Sequence, residues 1–594
     1  MEVRFDDRLS GRRYGFRGRG EIVAAARIDE VVPAFEYVES EVAGGRWAAG
    51  FVSYEAAPAF DDVLAVRSPN PAGSGVPAVP LLWFALYDEQ VDPGPVPEGD
   101  YHLSAWGGVE DRRRYQRSLD RIQSHIRAGD TYQVNYTYQQ SARFSGDPRA
   151  FYADLLSAQT AAYGAYLDGG RFQILSASPE LFFVREGDRI VCRPMKGTAA
   201  RGRWTSEDKA LLADLLGSEK ERAENVMIVD LIRNDVGRVA RYGTVCVDEL
   251  IAVEQYETVW QLVSTVSAGL RPGTSTVDLF RALFPCGSVT GAPKVRTMEI
   301  IADLEASPRG VYCGAIGMLA PPGSDSPAAS FSVAIRTVTL DAETGTASYG
   351  IGGGITHDSQ PDQEYAETRT KARVLVRKPV GFGLIETLRW ESGSGYAFLR
   401  EHLDRLQDSA DYCGFPCDRD AVEAQLEAAA REIAGDPARV RVVLDQDGRL
   451  SVQIEDLVDP AGPLRLAVDD VPVDPSDWRL FHKTSMRDRY RQARLRHPSA
   501  DDVLLVNLDG EITESTIANV IVRIDGNWIT PPVSSGCLPG VMRRVLLERG
   551  EIREAPVFVS DVARADGIAL INSVRLRVPA VLAEPVGAAA PGPR

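Results

Sequence analysis

Arg193-Pro194-Met195-Lys196-Gly197-Thr198 sets a single lysine between a proline and a glycine, two residues that punctuate strands. Taken alone, a lysine in such a turn is an ordinary solvated charge. Upstream, Phe172–Ser176 and Leu181–Arg185 read as a strand pair, and Tyr132–Gln140 as a further strand. Arg112–Ala128 reads as an amphipathic helix ending before Gly129, and Ser218–Arg233 as a strong helix. Glu364–Arg377 is a third helix, closed by Lys378-Pro379. Helices and strands in alternation give the fold class α/β (α+β).

Residues 1–105 read differently. Apolar runs at Trp47–Tyr54 and Leu81–Tyr87 are separated by Pro/Gly-rich connections such as Pro69–Pro80, so strands and loops are expected. The pattern changes again after Val380–Gly383, where a new α/β series begins. At 594 residues the chain exceeds one core. The expected division is 1–105, 106–378 and 381–585, with a disordered tail over 586–594.

A composition of 44% apolar and 25% charged residues is that of an ordinary soluble protein. The net charge of −18 argues against nucleic acid or a membrane surface as partner, because both are polyanions. It leaves anionic small molecules open, since a few arginines reverse the field in a cleft. Seven scattered cysteines form no disulfide framework and are expected as buried free thiols. No signal-type stretch and no run of 18 apolar residues occurs, so a cytoplasmic location is expected.

Helix Ser218–Arg233 puts Glu224 on the face of Ile228 and Leu231, where a carboxylate is costly unless paired or bound to metal. Glu364 and Glu367 lie one turn apart on a second helix, after Gly352-Gly353-Gly354, read as a flexible run. Carboxylates from separate helices with open positions are a donor set for Mg²⁺.

Ser176-Ala177-Ser178-Pro179-Glu180, Arg193–Thr198, Ala223-Glu224-Asn225 with Asp230–Asp235, Gly287–Lys294, Arg309–Ala315, Ile335-Arg336-Thr337 and Gly352–Lys371 follow one another in this order. Together they closely resemble the chorismate-binding family of anthranilate, aminodeoxychorismate, isochorismate and salicylate synthases. The likeness runs from about residue 110 to 378 and implies an αββα sandwich-type fold. Two positions sort the members. Water-using synthases carry a lysine base on the strand after the Gly-Asp turn, whereas Gly129-Asp130-Thr131-Tyr132 here leads into Gln133, which favours an ammonia-using member. Anthranilate synthases have alanine where this chain has Lys196; aminodeoxychorismate synthases have lysine.

The resemblance implies roles. Glu224 and Glu367, with Glu364 nearby, would hold Mg²⁺ against the ring carboxylate of chorismate. Arg336 and the amides around Thr290, Gly291 and Ala292 would receive carboxylate oxygens, with Lys294, Tyr312 and Gly353 also at the substrate. Glu180 would be the general acid at the departing C4 hydroxyl, kept protonated by burial or a nearby anion. Lys196 would attack C2, and ammonia would then enter at C4 to give 4-amino-4-deoxychorismate. Where the family often has histidine near that hydroxyl, this chain has Gln261, a donor that cannot become a cation. The nearest match to a glutaminase nucleophile, Gly536-Cys537-Leu538-Pro539-Gly540, has a proline at its helix start and no suitable His-x-Glu after it. A glutamine amidotransferase subunit acting in trans is therefore expected to supply ammonia.

In the last third, His402-Leu403-Asp404-Arg405-Leu406, His482-Lys483-Thr484, Thr513–Asn519 and Leu538-Pro539-Gly540-Val541 resemble fold-type IV pyridoxal-phosphate enzymes, with their two-subdomain α/β fold. The likeness covers about 381 to 585 and includes aminodeoxychorismate lyase and class IV aminotransferases. It implies Lys483 as the cofactor lysine and Glu514 as partner of the ring nitrogen. Arg405, the amides of Val541 and Met542, and Ser573 would hold the phosphate. Many relatives have threonine in place of Met542, and the strand region before Glu386-Thr387 is short here. Domain order favours a lyase that releases pyruvate from aminodeoxychorismate to give 4-aminobenzoate. Three other readings stay open: an aminotransferase second half, a cofactor-free dimerisation or docking module, or an anthranilate synthase first half. The likeness also admits a homodimer, which no residue pattern encodes.

Overall fold

The computed structural model describes residues 2–7, 11–17, 20–68, 79–97, 99–108, 111–158, 162–256, 258–372, 375 and 381–583. The expected tail 586–594, the helix end at Lys378-Pro379 and most of Pro69–Pro80 lie outside them. The chain divides into two compact units, Met1–Ala200 with Asp214–Pro379, and Arg201–Ala213 with Val380–Arg594.

The first unit is built from two antiparallel sheets. One runs through Gly291–Ala292, Gln133–Gly146, Thr346–Ile355, Thr337–Asp341, Phe172–Ser178, Tyr163–Asp168, Val3–Asp7, Arg12–Arg17 and Glu89–Val91. The other runs through Met195–Ala200, Val259–Gly269, Arg189–Arg193, Leu181–Glu186, Ala329–Val333, Ala315–Leu319, Trp47–Val52, Leu82–Tyr87 and Glu21–Ala25. Phe172 and Ile174 of the first meet Phe51 and Trp83 of the second in one buried cluster. Helices Ile28–Ala43, Glu219–Gly237 and Thr276–Leu283 bury Val31, Phe35, Ile228 and Phe280 with the second sheet. Helices Arg112–Arg127, Pro148–Ser157 and Lys294–Leu304 do the same for the first sheet, through Leu119, Phe151 and Ile300. The layers are αββα.

Several elements depart from expectation. Phe172–Ser178 and Leu181–Glu186 are not paired: the first joins Tyr163–Asp168 and Thr337–Asp341, the second Arg189–Arg193 and Ala329–Val333. Pro179, which has no amide to donate, and Glu180 carry the chain from one sheet to the other. The run Gly352-Gly353-Gly354 is a strand interior, paired with Thr137, Tyr136 and Asn135. Strands from residues 1–105 stand in both sheets, and Ile28–Ala43 is a 16-residue helix rather than loop. Its buried Val31, Phe35, Val38 and Val42 keep helical spacing despite Pro33 and the helix-poor valines. The cysteines are all free, as expected; Cys246, however, is exposed and Cys413 and Cys417 only half-buried.

The second unit has two parts. A four-stranded antiparallel sheet centred on Leu384–Glu391 and Ala438–Leu444 packs helices Leu399–Cys413 and Arg419–Ala430 through Leu388, Leu403, Leu406 and Leu426. An eight-stranded mixed sheet follows, from Ile512–Ser515 to Arg553–Glu554. Lys483 lies at the seam, its carbonyl accepting from the Ile385 amide at 2.7 Å. No helix among the described residues is long and apolar enough to cross a membrane.

Candidate functional site

Helix Glu219–Gly237 starts cleanly because the Ser218 hydroxyl accepts from the Glu221 amide and Glu219 and Glu221 fill its first turn. One turn on, Asn225 donates to the Lys196 carbonyl at 3.0 Å and accepts from Ser264 at 2.7 Å. That buried pair pins strand Met195–Ala200 against the helix. Gly197, at φ +101, would drive a side chain into Leu262, so only glycine lets the strand turn there.

Lys196 Nζ reaches Glu224 Oε2 at 3.1 Å. A Cβ placed on Gly354 would lie 2.5 Å from that nitrogen and 2.8 Å from the Gln133 amide nitrogen. The glycine run therefore leaves room above the sheet for two polar groups. Gln133 is fully buried, and both its side-chain polar atoms lack hydrogen-bond partners. Such orphaned atoms cost free energy and point to a ligand. Glu180 is buried as well, with Oε1 unpartnered. Burial pushes its carboxyl up to about 7, although Ser288, the Met195 amide and Lys196 pull the other way.

Glu367 pairs with Lys371 at 2.8 Å, Glu364 accepts from Ser359 at 2.6 Å, and Lys220 stands 4.0 Å from Glu224. Burial, aided by Glu224, raises the Glu221 carboxyl. Glu221 belongs with this set, and sequence reading missed it; its position one turn before Glu224 was the available signal. Four carboxylates answered by three lysines form a hard-oxygen set suited to Mg²⁺. Among the described residues, the group of three ligand-type side chains that converges within 4.8 Å is instead Asp469, Asp470 and His497, and Asp469 there is already bound by Arg496.

Other expected substrate residues are already engaged. Lys294 is paired with Asp235 at 2.7 Å and donates to the Leu283 carbonyl at 3.0 Å, which ties two helices together. Gln261 donates to the Gly197 carbonyl and accepts from Thr198, each at 2.8 Å, which makes it a brace for the Lys196 strand. Thr290 spends its hydroxyl on the Cys286 and Gly287 carbonyls. Gly291 and Ala292 pair with Val134 and Gln133, and Gly353 lies beside Lys371 and Glu364. Arg336 sits at φ +52, its guanidinium pKa lowered by burial against the pull of Tyr349 and Tyr256. Tyr312 is buried against Gly350.

In the second unit a pocket is lined by Arg405, Lys483, Glu514, Val541, Met542 and Ser573, among others. Lys483 donates to the Thr387 hydroxyl at 3.3 Å. Burial pushes its amine down to about 7; Arg405, Arg487 and Arg439 add to this and Glu386 opposes it. Glu514 accepts from Tyr490 at 2.8 Å and from the Leu538 amide at 3.1 Å, and burial raises it to about 7. Arg405 is clamped by both oxygens of Glu386, at 2.8 and 2.7 Å, and His402 holds the same carboxylate at 2.6 Å. Arg405 and His402 thereby hold Glu386 well below the carboxylate range, despite burial. Glu386 and Tyr490 were not among the sequence candidates. Helix Val541–Glu548 opens toward the cavity after Gly540, so the amides of Val541 and Met542 stand at a helix N-terminus. A second cavity, also touching Lys483, is lined by Arg439, Arg441, Arg487 and Arg575. A buried low-pKa amine, a buried carboxyl and a helix N-terminus with arginine around one cavity fit pyridoxal phosphate.

A family model described as chorismate binding enzyme matches residues 13–377, and one described as amino-transferase class IV matches 383–582. An aminodeoxychorismate synthase of Streptomyces griseus is 45% identical over 305 residues, 50% of this chain and 41% of its own length. An anthranilate synthase component 1 of Haloarcula marismortui is 42% identical over 265 residues, 45% of this chain and 53% of its own. The chain thus spans about half the length of the curated relatives it matches. A solved structure from Bacillus anthracis, named for a 2,3-dihydroxybenzoate-specific isochorismate synthase, is 20% identical. It covers 63% of this chain and 94% of its own, at a TM-score of 0.50, a likeness of fold.

Proposed function

The chain belongs to the chorismate-binding enzyme family, and from that premise we propose that it makes 4-aminobenzoate, a folate precursor, in two steps. The first unit converts chorismate and ammonia to 4-amino-4-deoxychorismate; the second removes pyruvate. The observation that carries this is the meeting of Lys196, Gln133 and Glu180. A lysine beside Gly354 favours an amine nucleophile over an anthranilate-type site, and Gln133 cannot act as the base a water-using site needs.

Glu180, protonated below about 7, gives its proton to the C4 oxygen, which leaves as water. The Lys196 amine bonds to C2 as both ring double bonds shift and the C4–O bond breaks. Ammonia then bonds to C4, and the lysine leaves C2 with its electron pair. Glu221, Glu224, Glu364 and Glu367 would hold Mg²⁺, which when bound supplies positive charge for a substrate carboxylate. Ammonia comes from a glutaminase partner: Cys537 is buried and its thiol pushed up to about 12 by that burial, unsuited to hydrolysing glutamine itself.

Pyridoxal phosphate, when bound, supplies an electron sink for loss of pyruvate. Lys483 would hold it and take the substrate's α-proton, Glu514 would pair with the ring nitrogen, and Arg405 with the Val541 and Met542 amides would take the phosphate. Arg439, Arg441 and Arg575 give the second cavity the charge to receive a dicarboxylate, which favours a second half that consumes the product of the first.

The test is product analysis with chorismate, ammonium, Mg²⁺ and pyridoxal phosphate. Wild type should give 4-aminobenzoate, Lys483→Ala should stop at aminodeoxychorismate, and Lys196→Ala should impair the first step. Anthranilate as the main product overturns the first assignment; dependence of pyruvate release on an amino acceptor overturns the second.

A further inference from the structure

Residues 201–213 lie inside the span matched by the chorismate binding model, yet they group with Val380–Arg594. Their packing is specific. Arg201 is nearly fully buried and bonds Asp208 through Nε at 2.9 Å and Nη2 at 2.7 Å. It also donates to the Tyr412 carbonyl at 3.1 Å, and its guanidinium lies 4.4 Å from the centre of the Tyr412 ring. Tyr412 returns a hydrogen bond from its hydroxyl to the Gly202 carbonyl at 2.8 Å. The turn itself requires glycine, because a Cβ on Gly202 would meet the Asp208 amide at 2.2 Å.

From there the contacts run to Lys483 and Glu514 by two routes. The His482 ring stacks on Tyr412 at 4.2 Å, and His482 precedes Lys483. Trp204 packs on Phe481 at 4.9 Å, and Arg203 reaches the Pro475 carbonyl at 3.1 Å. Trp204 and Tyr490 share the same small core with Leu480, Phe481 and Val503. Tyr490 is the residue that donates to Glu514. Four residues of one segment thus stand behind both groups assigned to the cofactor.

We propose that residues 201–204 are positioning residues for the second active site, with Arg201 and Trp204 setting the Phe481-His482-Lys483 turn and the Tyr490–Glu514 bond. The fold-type IV half is then completed by chain drawn from the first half of the sequence. Buried cation–π and ring contacts of this kind hold geometry tightly, and small displacements at a reacting group cost rate rather than binding. This rests on Lys483 being the cofactor lysine, as proposed above.

The experiment uses the full chain loaded with pyridoxal phosphate and supplied with aminodeoxychorismate. Trp204→Ala should lower kcat for pyruvate release by about tenfold or more with little change in KM, and Trp204→Phe should restore most of it. In Trp204→Ala the pH midpoint of the visible band of the lysine-bound cofactor should also move, because Lys483 would sit differently among Thr387, Glu386, Arg405, Arg439 and Arg487. Tyr412→Phe, which removes one hydroxyl, should give the same changes in smaller degree. A wild-type rate in Trp204→Ala, or a lower rate with an unmoved midpoint, overturns the proposal. A wild-type protein with no Lys483-dependent visible band overturns the cofactor assignment instead.

Discussion

The two candidate lysines differ in their neighbours. Lys196 has a carboxylate at 3.1 Å, and three further glutamates share its surroundings. Lys483 faces a hydroxyl at 3.3 Å with arginines around it, and burial with those cations pushes it down to about 7. Burial and cations favour the neutral amine in advance. A lysine held in an ion pair has to be released by something that takes its carboxylate. On the proposed reading, the second site is preset for its chemistry, whereas the first waits on a cation and a substrate.

The sharpest break of this comparison is to remove each lysine in turn. Lys483→Ala should lower pyruvate release by about 10³-fold or more and leave aminodeoxychorismate formation intact. Lys196→Ala should do the reverse, and separate assays of the two steps distinguish them. If either variant impairs both steps equally, the division of labour fails. Next in size is Glu180→Gln, which keeps shape but has no proton to give: formation of aminodeoxychorismate should fall by about 10²-fold, with the second step unchanged.

How far the sequence carried this contrast varies residue by residue. The pattern of Glu224, Glu364 and Glu367 on two helices was legible because helical spacing fixes which side chains share a face. Gln133 and Lys196 were legible only as types at motif positions; that they meet above Gly354 depends on pairing between Gln133–Gly146 and Thr346–Ile355, more than 200 residues apart in sequence, which no local pattern encodes. The partners of Lys294 and Gln261 were hidden for the same reason. A lysine and an amide in a motif look available until Asp235 and the Gly197 carbonyl, brought in by tertiary packing, use them. Helix Ile28–Ala43 was hidden by Pro33 and its β-branched residues, although its buried positions keep the helical period. Assigning residues 201–213 to the second unit lies beyond any local reading.

The comparison also predicts opposite pH dependences. With Glu180 as the proposed acid and its carboxyl pushed up to about 7 by burial, the rate of aminodeoxychorismate formation should fall as pH rises through that value. Lys483 is the mirror case. Its amine reacts when neutral and its pKa is pushed down to about 7, so the rate at which cofactor-free protein takes up pyridoxal phosphate should rise through about the same pH. Each limb should approach about tenfold per pH unit away from its midpoint. Stopped-flow absorbance for uptake and a coupled assay for the first step check the signs; parallel slopes would remove the electrostatic contrast between the sites.

The smallest effect concerns how the first site is released. If the ammonium of Lys196 competes with Mg²⁺ for Glu224, replacing it with a neutral chain of similar length should help the metal. Lys196→Met leaves Glu224 facing Lys220 at 4.0 Å, with Glu221, Glu364 and Glu367 unchanged in number. A partly buried ion pair of this kind is worth on the order of 1 kcal/mol, which corresponds to about fivefold tighter Mg²⁺ binding by calorimetry without substrate. The gain should shrink as ionic strength rises, because the carboxylates are screened. Weaker binding in Lys196→Met would mean that the lysine orders Glu224 for the metal rather than withholding it, and the first site would then be as preset as the second.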